Sequence, residues 1–589
     1  PSGIAVGHGG VWVANSPDIL FVQDTDGDGK ADKQEVVVTG FGRADTHELP
    51  NSLTWGPDGW LYGLNGVFNY SHVKYSETNP NYKADHKGWP ITCAMFRIHP
   101  RTREFQVFCE GTSNPWGIAF NDEGEAFVSA CVIDHLWHLV ETGYYHRQGG
   151  PYPPFTWKID SIVKHKHQKA AYCGIHYFDS DAYPEQYRGK LYMGNIHGGC
   201  INVDRIERDG STYKGFGEPD FLTANDAWFM PVVQKTGPDG CLYILDWYDR
   251  YHCYQDANRD PAGIDRLKGR LYRVRYKDSP RTPKGFDLAK ESDEQLNERL
   301  GAKNDFIRWT ATRLLQERGT NAIQKKIEVA IGAKETSQLH RAHAVFVLAG
   351  LPYEAGSLRR GFATETIRQH VWAEKKVTSA TETLLAWSYR ISMQDEAATR
   401  FVRAFETAEY EAGRLFGNED YVGSAILARE LVISIARGPR SPMGLHTLML
   451  IVTTFPEDPM LPKLAWQALH PRLESETEVF LEVLQKGKHL NSKPVLELIP
   501  RIADRILGRQ KFDAQPIGKL FALLRDDHPQ AGRQVLEVIS AKVQSGELKG
   551  EKLDQLKVAM AEPLTTLLAD KATHPLASDA ALLAASWGD

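Results

Sequence analysis

Cysteine is scarce and unevenly spread. The seven, Cys93, Cys109, Cys131, Cys173, Cys200, Cys241 and Cys253, all lie between residues 93 and 253 of a 589-residue chain. An odd count without any C-x-x-C argues against a cysteine-based zinc site and against covalent haem attachment within the chain. An oxidising compartment would still allow disulfides, whose pairing the spacing does not give. Long apolar runs are missing too. A membrane span needs about 18 apolar residues, and the longest candidate, Leu448–Phe455, is short and broken by two threonines. There is no basic excess: a net charge of −6 gives no electrostatic footprint for nucleic acid. No charged leader precedes the first strand-like run, Ile4–Val13, and residue 1 is Pro, so the chain is expected to begin inside a fold.

What is present divides into two halves, as expected of a chain too long for one core. Up to about residue 276, a β-rich run, a Gly/Asp turn and a second run with aromatics recur. The copies are Ile4–Asn15, Leu53-Thr-Trp-Gly-Pro-Asp-Gly-Trp-Leu-Tyr-Gly-Leu-Asn65, Ile118–Ser129, a looser His176–Asn195, and Val233-Gln-Lys-Thr-Gly-Pro-Asp-Gly-Cys-Leu-Tyr-Ile244. Their Asp-Gly pairs read as tight hairpin turns with positive φ at both central positions. A spacing of roughly 50–60 residues suggests propeller blades. Five copies and a truncated start predict six blades with the first missing. A β-sandwich is the competing fold, but sandwiches rarely repeat one turn chemistry so regularly.

From about residue 291 to 589 the period is helical. Asp305–Gly319 has apolar residues at helical spacing and ends at Gly, and similar units follow at Leu339–Leu351, Thr366–Lys376, Ser424–Gly438 and Pro462–Leu473. Their spacing predicts an α-solenoid of HEAT type. Residues 277–290, with Ser279-Pro280 and Thr282-Pro283, read as the linker after a β domain over 1–276.

One motif is specific. Asp24-Thr-Asp26-Gly-Asp28-Gly29-Lys30-Ala-Asp32-Lys-Gln-Glu35 fits D-x-D-x-D-G-x5-E at every position. Carboxylates of Asp24, Asp26, Asp28, Asp32 and Glu35 with the Lys30 carbonyl suit Ca²⁺, and Gly29 permits the sharp turn. Strands are expected on both sides, at Ile19–Val22 and Val36–Thr39, so the ion would brace a blade rather than signal. An ordinary acidic hairpin loop is the alternative.

Polar residues gather where blade loops would share one face. Loops entering the inner strands carry His47-Glu-Leu-Pro-Asn51, Asn114-Pro-Trp116, Tyr172-Cys-Gly-Ile-His176 and Asn225-Asp-Ala-Trp228. Loops leaving the second strands carry Asn65–Asn69, Asp134-His135, Asn195-Ile-His197 and Asp246-Trp-Tyr248. Such convergence is the default binding-site hypothesis. Asn51, Asn65, Asn114, Trp116, Asp134, His135, His176, Asn195, Asn225, Asp226 and Trp247 are the candidate binding residues. Singly, each such His or Asn beside a turn more often caps backbone. Together they are harder to dismiss, because 13 of 21 histidines and 9 of 14 tryptophans fall in the shorter first half. Some tryptophans, Trp55 and Trp60 among them, are expected to pack between blades. His165 and His167, with His176 nearby, could make a metal site, although that segment lacks an obvious carboxylate.

Asp24–Asp32, Trp55–Gly63, Tyr187-Arg-Gly-Lys-Leu-Tyr-Met-Gly-Asn-Ile-His-Gly198, Asn202–Arg208, Glu218–Leu222 and Gly269–Arg273 together resemble the membrane-bound dehydrogenase family abundant in planctomycetes and verrucomicrobia. The resemblance covers nearly the whole chain. It implies a propeller similar to soluble quinoprotein glucose and sorbosone dehydrogenases, then HEAT repeats, often followed by a cytochrome c domain. This chain departs from that pattern in lacking a first blade and a C-x-x-C-H haem motif.

Two functions follow. The first is oxidation of a sugar or alcohol with pyrroloquinoline quinone (PQQ), a base taking the hydroxyl proton and electrons passing to a cytochrome. His47 and His197 are the candidate bases, having the right intrinsic pKa, and Asp246 is a third candidate catalytic residue. No cluster of Arg and Lys in the loops suits a tricarboxylate quinone. The second is a non-catalytic carbohydrate- or protein-binding scaffold. Both place the protein in the periplasm, outside the cell or at its surface.

Overall fold

In the computed structural model, the structure describes residues 1–168, 171–251, 258–261, 268–279, 281–352, 367, 378–393, 424–569 and 574–587. Two compact units form, one of residues 1–151 with 158–404, the other of residues 152–157 with 405–589.

The first unit opens with five sheets in succession. Their first strands are Gly3–Gly7, Asn51–Trp55, Asn114–Phe120, Tyr172–Phe178 and Pro231–Thr236. Each of these packs beside the next, while no comparable contact among the described residues joins the last to the first. Buried apolar clusters fill the spaces between sheets. Trp12, Phe21, Leu53 and Phe96 lie between the first and second, Phe127, Leu136, Ile175 and Met193 between the third and fourth, and Phe178, Tyr192, Leu242 and Ile244 between the fourth and fifth. Trp55 belongs here as expected, its indole donating to the Val6 carbonyl at 2.9 Å.

The Asp-Gly turns are hairpins of a different kind from that expected. Only the glycine has positive φ, 74° at Gly59 and 75° at Gly240. The aspartate instead acts through its side chain, Asp58 Oδ1 accepting from Trp60 N at 3.2 Å and Asp239 Oδ1 from Cys241 N at 3.0 Å. An Asx cap thus does what a primed turn would otherwise require.

These turns set the polarity of the unit, because helices gather over them. Gln316, on helix Asp305–Arg318, donates to Pro57 O at 2.8 Å, and Trp387, on helix Ser379–Met393, donates to Glu123 O at 2.9 Å. Asn304 donates to Pro238 O at 3.1 Å. Arg308, fully buried, reaches Asp122 at 2.5 Å and Asp179 at 2.9 Å. The helical region expected from residue 291 therefore begins on the sheets: the helices from Asp293–Arg299 to Ser379–Met393 share their unit. The opposite ends of the sheets are left to the long loops.

At that opposite end, the inner strands of the second to fifth sheets each start with a bulge, between Asn51 and Thr54, Pro115 and Ile118, Cys173 and Ile175, and Pro231 and Val233. The bulges tie neighbouring sheets together. Gly117 N donates to Ser52 Oγ at 2.8 Å, and Gly194 N to Gln234 Oε1 at 3.3 Å. Backbones approach so closely that a Cβ on Gly117, at φ 105°, would lie 2.5 Å from Ile175 N. Bulges commonly occur beside functional sites, where they re-aim side chains.

In the second unit the helices stack in two rows. Pro442–Thr454, Thr477–Lys486, Gln515–Leu524 and Glu551–Ala569 make one, and Lys493–Leu507, Pro529–Gln544 and Ala577–Ser586 the other. Segment 152–157 belongs with them, Trp466 donating to Phe155 O at 2.7 Å. The expected helix at Thr366–Lys376 lies, apart from residue 367, outside the described residues. The six described cysteines are free thiols, and Cys253 lies outside the described residues.

Candidate functional site

The register fixes which loops share the open end: Asn51 pairs with Leu64, Asn114 with Cys131, Tyr172 with Asn195 and Pro231 with Asp246. The loops named in the sequence thus lie at one end of the sheets. Their residues take different roles.

Asn51, Asn65 and Asn195 are fully buried and brace the loops. The Asn65 amide alone donates to the carbonyls of Gly66, Asn69 and Thr92, at 3.2, 3.0 and 2.8 Å, and accepts from Ser71 Oγ. Asn51 donates to Leu49 O, and Asn195 accepts from Gly198 N while donating to Asn202. Asp246 is buried as well. Its Oδ1 accepts from Met230 N and Tyr248 N, both at 2.8 Å, while its Oδ2 has no partner. Asp134 accepts from Ser161 Oγ at 2.7 Å, and Trp116 is half-buried.

His47, His197, Asn225 and Trp247 are exposed. His47 sits 3.1 Å from Asp45. Asp226 accepts from Trp228 N, and the Trp228 ring stacks on Tyr248 at 5.6 Å.

His176 lies elsewhere. The strand Tyr172–Phe178 carries it about 13 Å from its first residue, at about 3.3 Å per residue. It ends in a cavity of about 230 Å³ at the helix-facing end, with Nε2 2.7 Å from Thr236 Oγ1 and 3.2 Å from Asp305. His165 and His167 do find a carboxylate, Asp204, but their third histidine is His135.

The residue missed in the sequence is Glu48, the neighbour of His47. It is buried, its Oε2 accepts from Phe68 N at 2.9 Å, and its Oε1 has no hydrogen-bond partner. Burial, with the nearby Asp45 charge, pushes its carboxyl up to about 7. The Asn114 side chain interacts with it, and Asn114 Oδ1 is also buried without a donor. Gly66 makes the close packing possible, since a Cβ there would stand 2.2 Å from Glu48 Cβ.

The calcium-motif loop is exposed and joins strands Asp18–Gln23 and Lys33–Thr39. Carboxylate oxygens of Asp24, Asp26 and Asp28 lie within 4.8 Å of one another. Asp24 holds the turn by accepting from Gly27 N at 2.7 Å and Gly29 N at 2.8 Å, and Asp28 accepts from Lys30 N at 2.7 Å. Asp32 accepts from Thr25 N and Oγ1, and the Thr25 hydroxyl holds its carboxyl below the ordinary range. Glu35 pairs with Arg103 at 3.1 Å.

Residues 1–278 match a family described as a domain of unknown function, DUF7133. No curated protein matches the chain. Among solved structures, the chain is similar to an oxidoreductase of glucose dehydrogenase type from Thermus thermophilus, at 19% identity over 46% of this chain and 82% of that one, with a TM-score of 0.31. It is similar to the PQQ-bound aldose sugar dehydrogenase of Streptomyces coelicolor at 16% identity, over 47% and 81%, with a TM-score of 0.32. A luciferin-regenerating enzyme shows 15% identity over 47% and 78%, with a TM-score of 0.29.

Proposed function

We propose that the N-terminal unit is a dehydrogenase-like module that binds a sugar or alcohol at the mouth, with Glu48 accepting the hydroxyl proton. One observation carries this: Glu48 is buried, its Oε1 has no hydrogen-bond partner, and burial pushes its carboxyl up to about 7. A base poised near the working pH is what hydroxyl deprotonation needs, and a substrate hydroxyl would donate to the unpartnered Oε1. Glu48 replaces the exposed His47 and His197 in that role, because burial rather than intrinsic pKa tunes it.

Oxidation would also need a hydride acceptor, which the family resemblance supplies as PQQ. The described residues do not fit a tricarboxylate quinone. Arg147, which like Glu48 acts on Cys93, is buried and bonded to Tyr144 and Thr92. Arg270 lies 3.3 Å over the Tyr248 ring and 3.8 Å from Asp226. The non-catalytic reading is favoured by Trp247, 64% exposed, beside a Trp228–Tyr248 stack suited to a sugar face.

Around this core the proposal includes a sixth blade between the fifth and first sheets, Ca²⁺ held by Asp24, Asp26 and Asp28, HEAT-type helices offering a surface to a cytochrome or other protein, and a periplasmic or cell-surface location. Purified protein with Ca²⁺, with and without PQQ, is titrated with a sugar and alcohol panel while dye reduction is followed. Binding lost in Glu48→Gln supports the site, and turnover decides for the enzyme. Neither binding nor turnover in a folded sample would sink both readings.

A further inference from the structure

The cluster that joins the third and fourth sheets has no part in the mouth chemistry. His135 precedes strand Leu136–Leu139, His165 and His167 lie on the connecting segment, and Asp204 is on strand Cys200–Asp209. Three chain segments thus bring three imidazoles to one carboxylate. His135 Nε2 lies 2.9 Å from Asp204 Oδ2, His167 Nε2 3.2 Å from the same oxygen, and His165 Nε2 2.7 Å from Oδ1. The rings meet edge to face, with centroids 5.0 to 5.2 Å apart.

Ordinary hydrogen bonds join His135 and His167 to Asp204 Oδ2, but they leave the third contact unexplained. Asp204 is wholly buried, yet its Oδ1 and the His165 Nε2 beside it form no hydrogen bond. Two polar atoms this close, buried and unbonded, are costly unless something between them accepts both. Ligand atoms on the edges of a tetrahedron stand about 3.3 Å apart when the metal bonds are about 2.0–2.1 Å, and all four atoms here fall within 4.8 Å of one another.

The surroundings hold the rings in this arrangement. The Tyr172 ring stacks on His135 at 4.8 Å. Gly217, paired with Asp204 across the strands, leaves room for His165, since a Cβ there would come within 2.9 Å of the imidazole. His165 is 30% exposed and His167 8%, which gives an ion a way in.

We propose that His135, His165, His167 and Asp204 bind a divalent transition-metal ion of the zinc class. Three imidazole nitrogens and one carboxylate suit Zn²⁺ and its neighbours rather than Ca²⁺ or Mg²⁺, which take oxygen ligands. Four protein ligands leave no open position, so the ion is a brace locking the 161–168 segment to two sheets.

Tag-free full-length protein, stripped with chelator, is titrated with Co²⁺ and then Zn²⁺. One equivalent of Co²⁺ with the intense visible bands of tetrahedral cobalt, bleached by Zn²⁺, is expected. His165→Asn and His167→Asn, both at the accessible edge, should each weaken binding by at least about a hundredfold, matching or exceeding what losing an outer-shell partner can cost. Circular dichroism verifies their folding, and Asp204→Asn is a further variant. Asp26→Ala with Asp28→Ala should leave the bands unchanged. Absence of tetrahedral Co²⁺ bands in folded wild-type protein, or bands that survive both histidine variants, would overturn the assignment. Either result leaves the Glu48 reading standing, since that rests on ligand binding at the mouth.

Discussion

Glu48→Gln tests the mouth through stability. The native carboxyl holds its proton more tightly than an ordinary carboxyl, about 7 against 4.5. The fold therefore gains most when Glu48 is protonated. Stability falls as pH rises from about 4.5 through about 7, then levels off. The gap corresponds to about 3 kcal/mol, an upper bound, at 1.36 kcal/mol per pH unit. Glutamine mimics the protonated form. Its carbonyl can accept from Phe68 N in place of Oε2. Glu48→Gln should match wild type near pH 4.5 and exceed it by up to about 3 kcal/mol at pH 8. Urea unfolding at both pH values, followed by tryptophan fluorescence and by circular dichroism of the sheet transition, measures this. An identical difference between variant and wild type at the two pH values would refute the reasoning.

Three other perturbations have defined outcomes. Arg308→Met strips the buried cation from Asp122 and Asp179 and should cost about 3–5 kcal/mol in chemical denaturation; a loss under about 1 kcal/mol would mean the helix is not anchored there. Gly117→Ala forces a side chain onto φ 105°, 2.5 Å from Ile175 N, and should destabilise by more than about 1 kcal/mol, seen as a lower melting temperature. Asp26→Ala with Asp28→Ala should lower the melting temperature and abolish its response to EDTA; a wild-type curve indifferent to EDTA would remove structural calcium.

Local features were legible in the sequence, and distant appositions were not. The strands on either side of Asp24–Glu35, the hairpins at Trp55–Gly63 and Thr236–Tyr243, and helix Asp305–Arg318 with its C-cap Gly319 at φ 57° are set by residues within one or two turns of each other. The end of the sheets at which each loop lies was readable too, because strand direction fixes it. Three things were not. His135 and Asp204 are 69 residues apart on different sheets, so no spacing rule joins them. His176 shares a strand with Tyr172, yet the rise of that strand takes it to the other end. Glu48 stood in plain view beside His47, but its raised pKa comes from burial, with Gly66 packed close against its Cβ, and side-chain type alone favours the imidazole.

The most direct test is proton exchange on ligand binding. The tightest sugar or alcohol of the panel is titrated calorimetrically into wild type and Glu48→Gln at pH 7, in two buffers of different ionisation enthalpy. A fraction of a proton exchanged by the wild type and none by Glu48→Gln is expected if the ligand hydroxyl meets the Glu48 carboxyl. Equal exchange in both proteins, or binding untouched by the substitution, would contradict it.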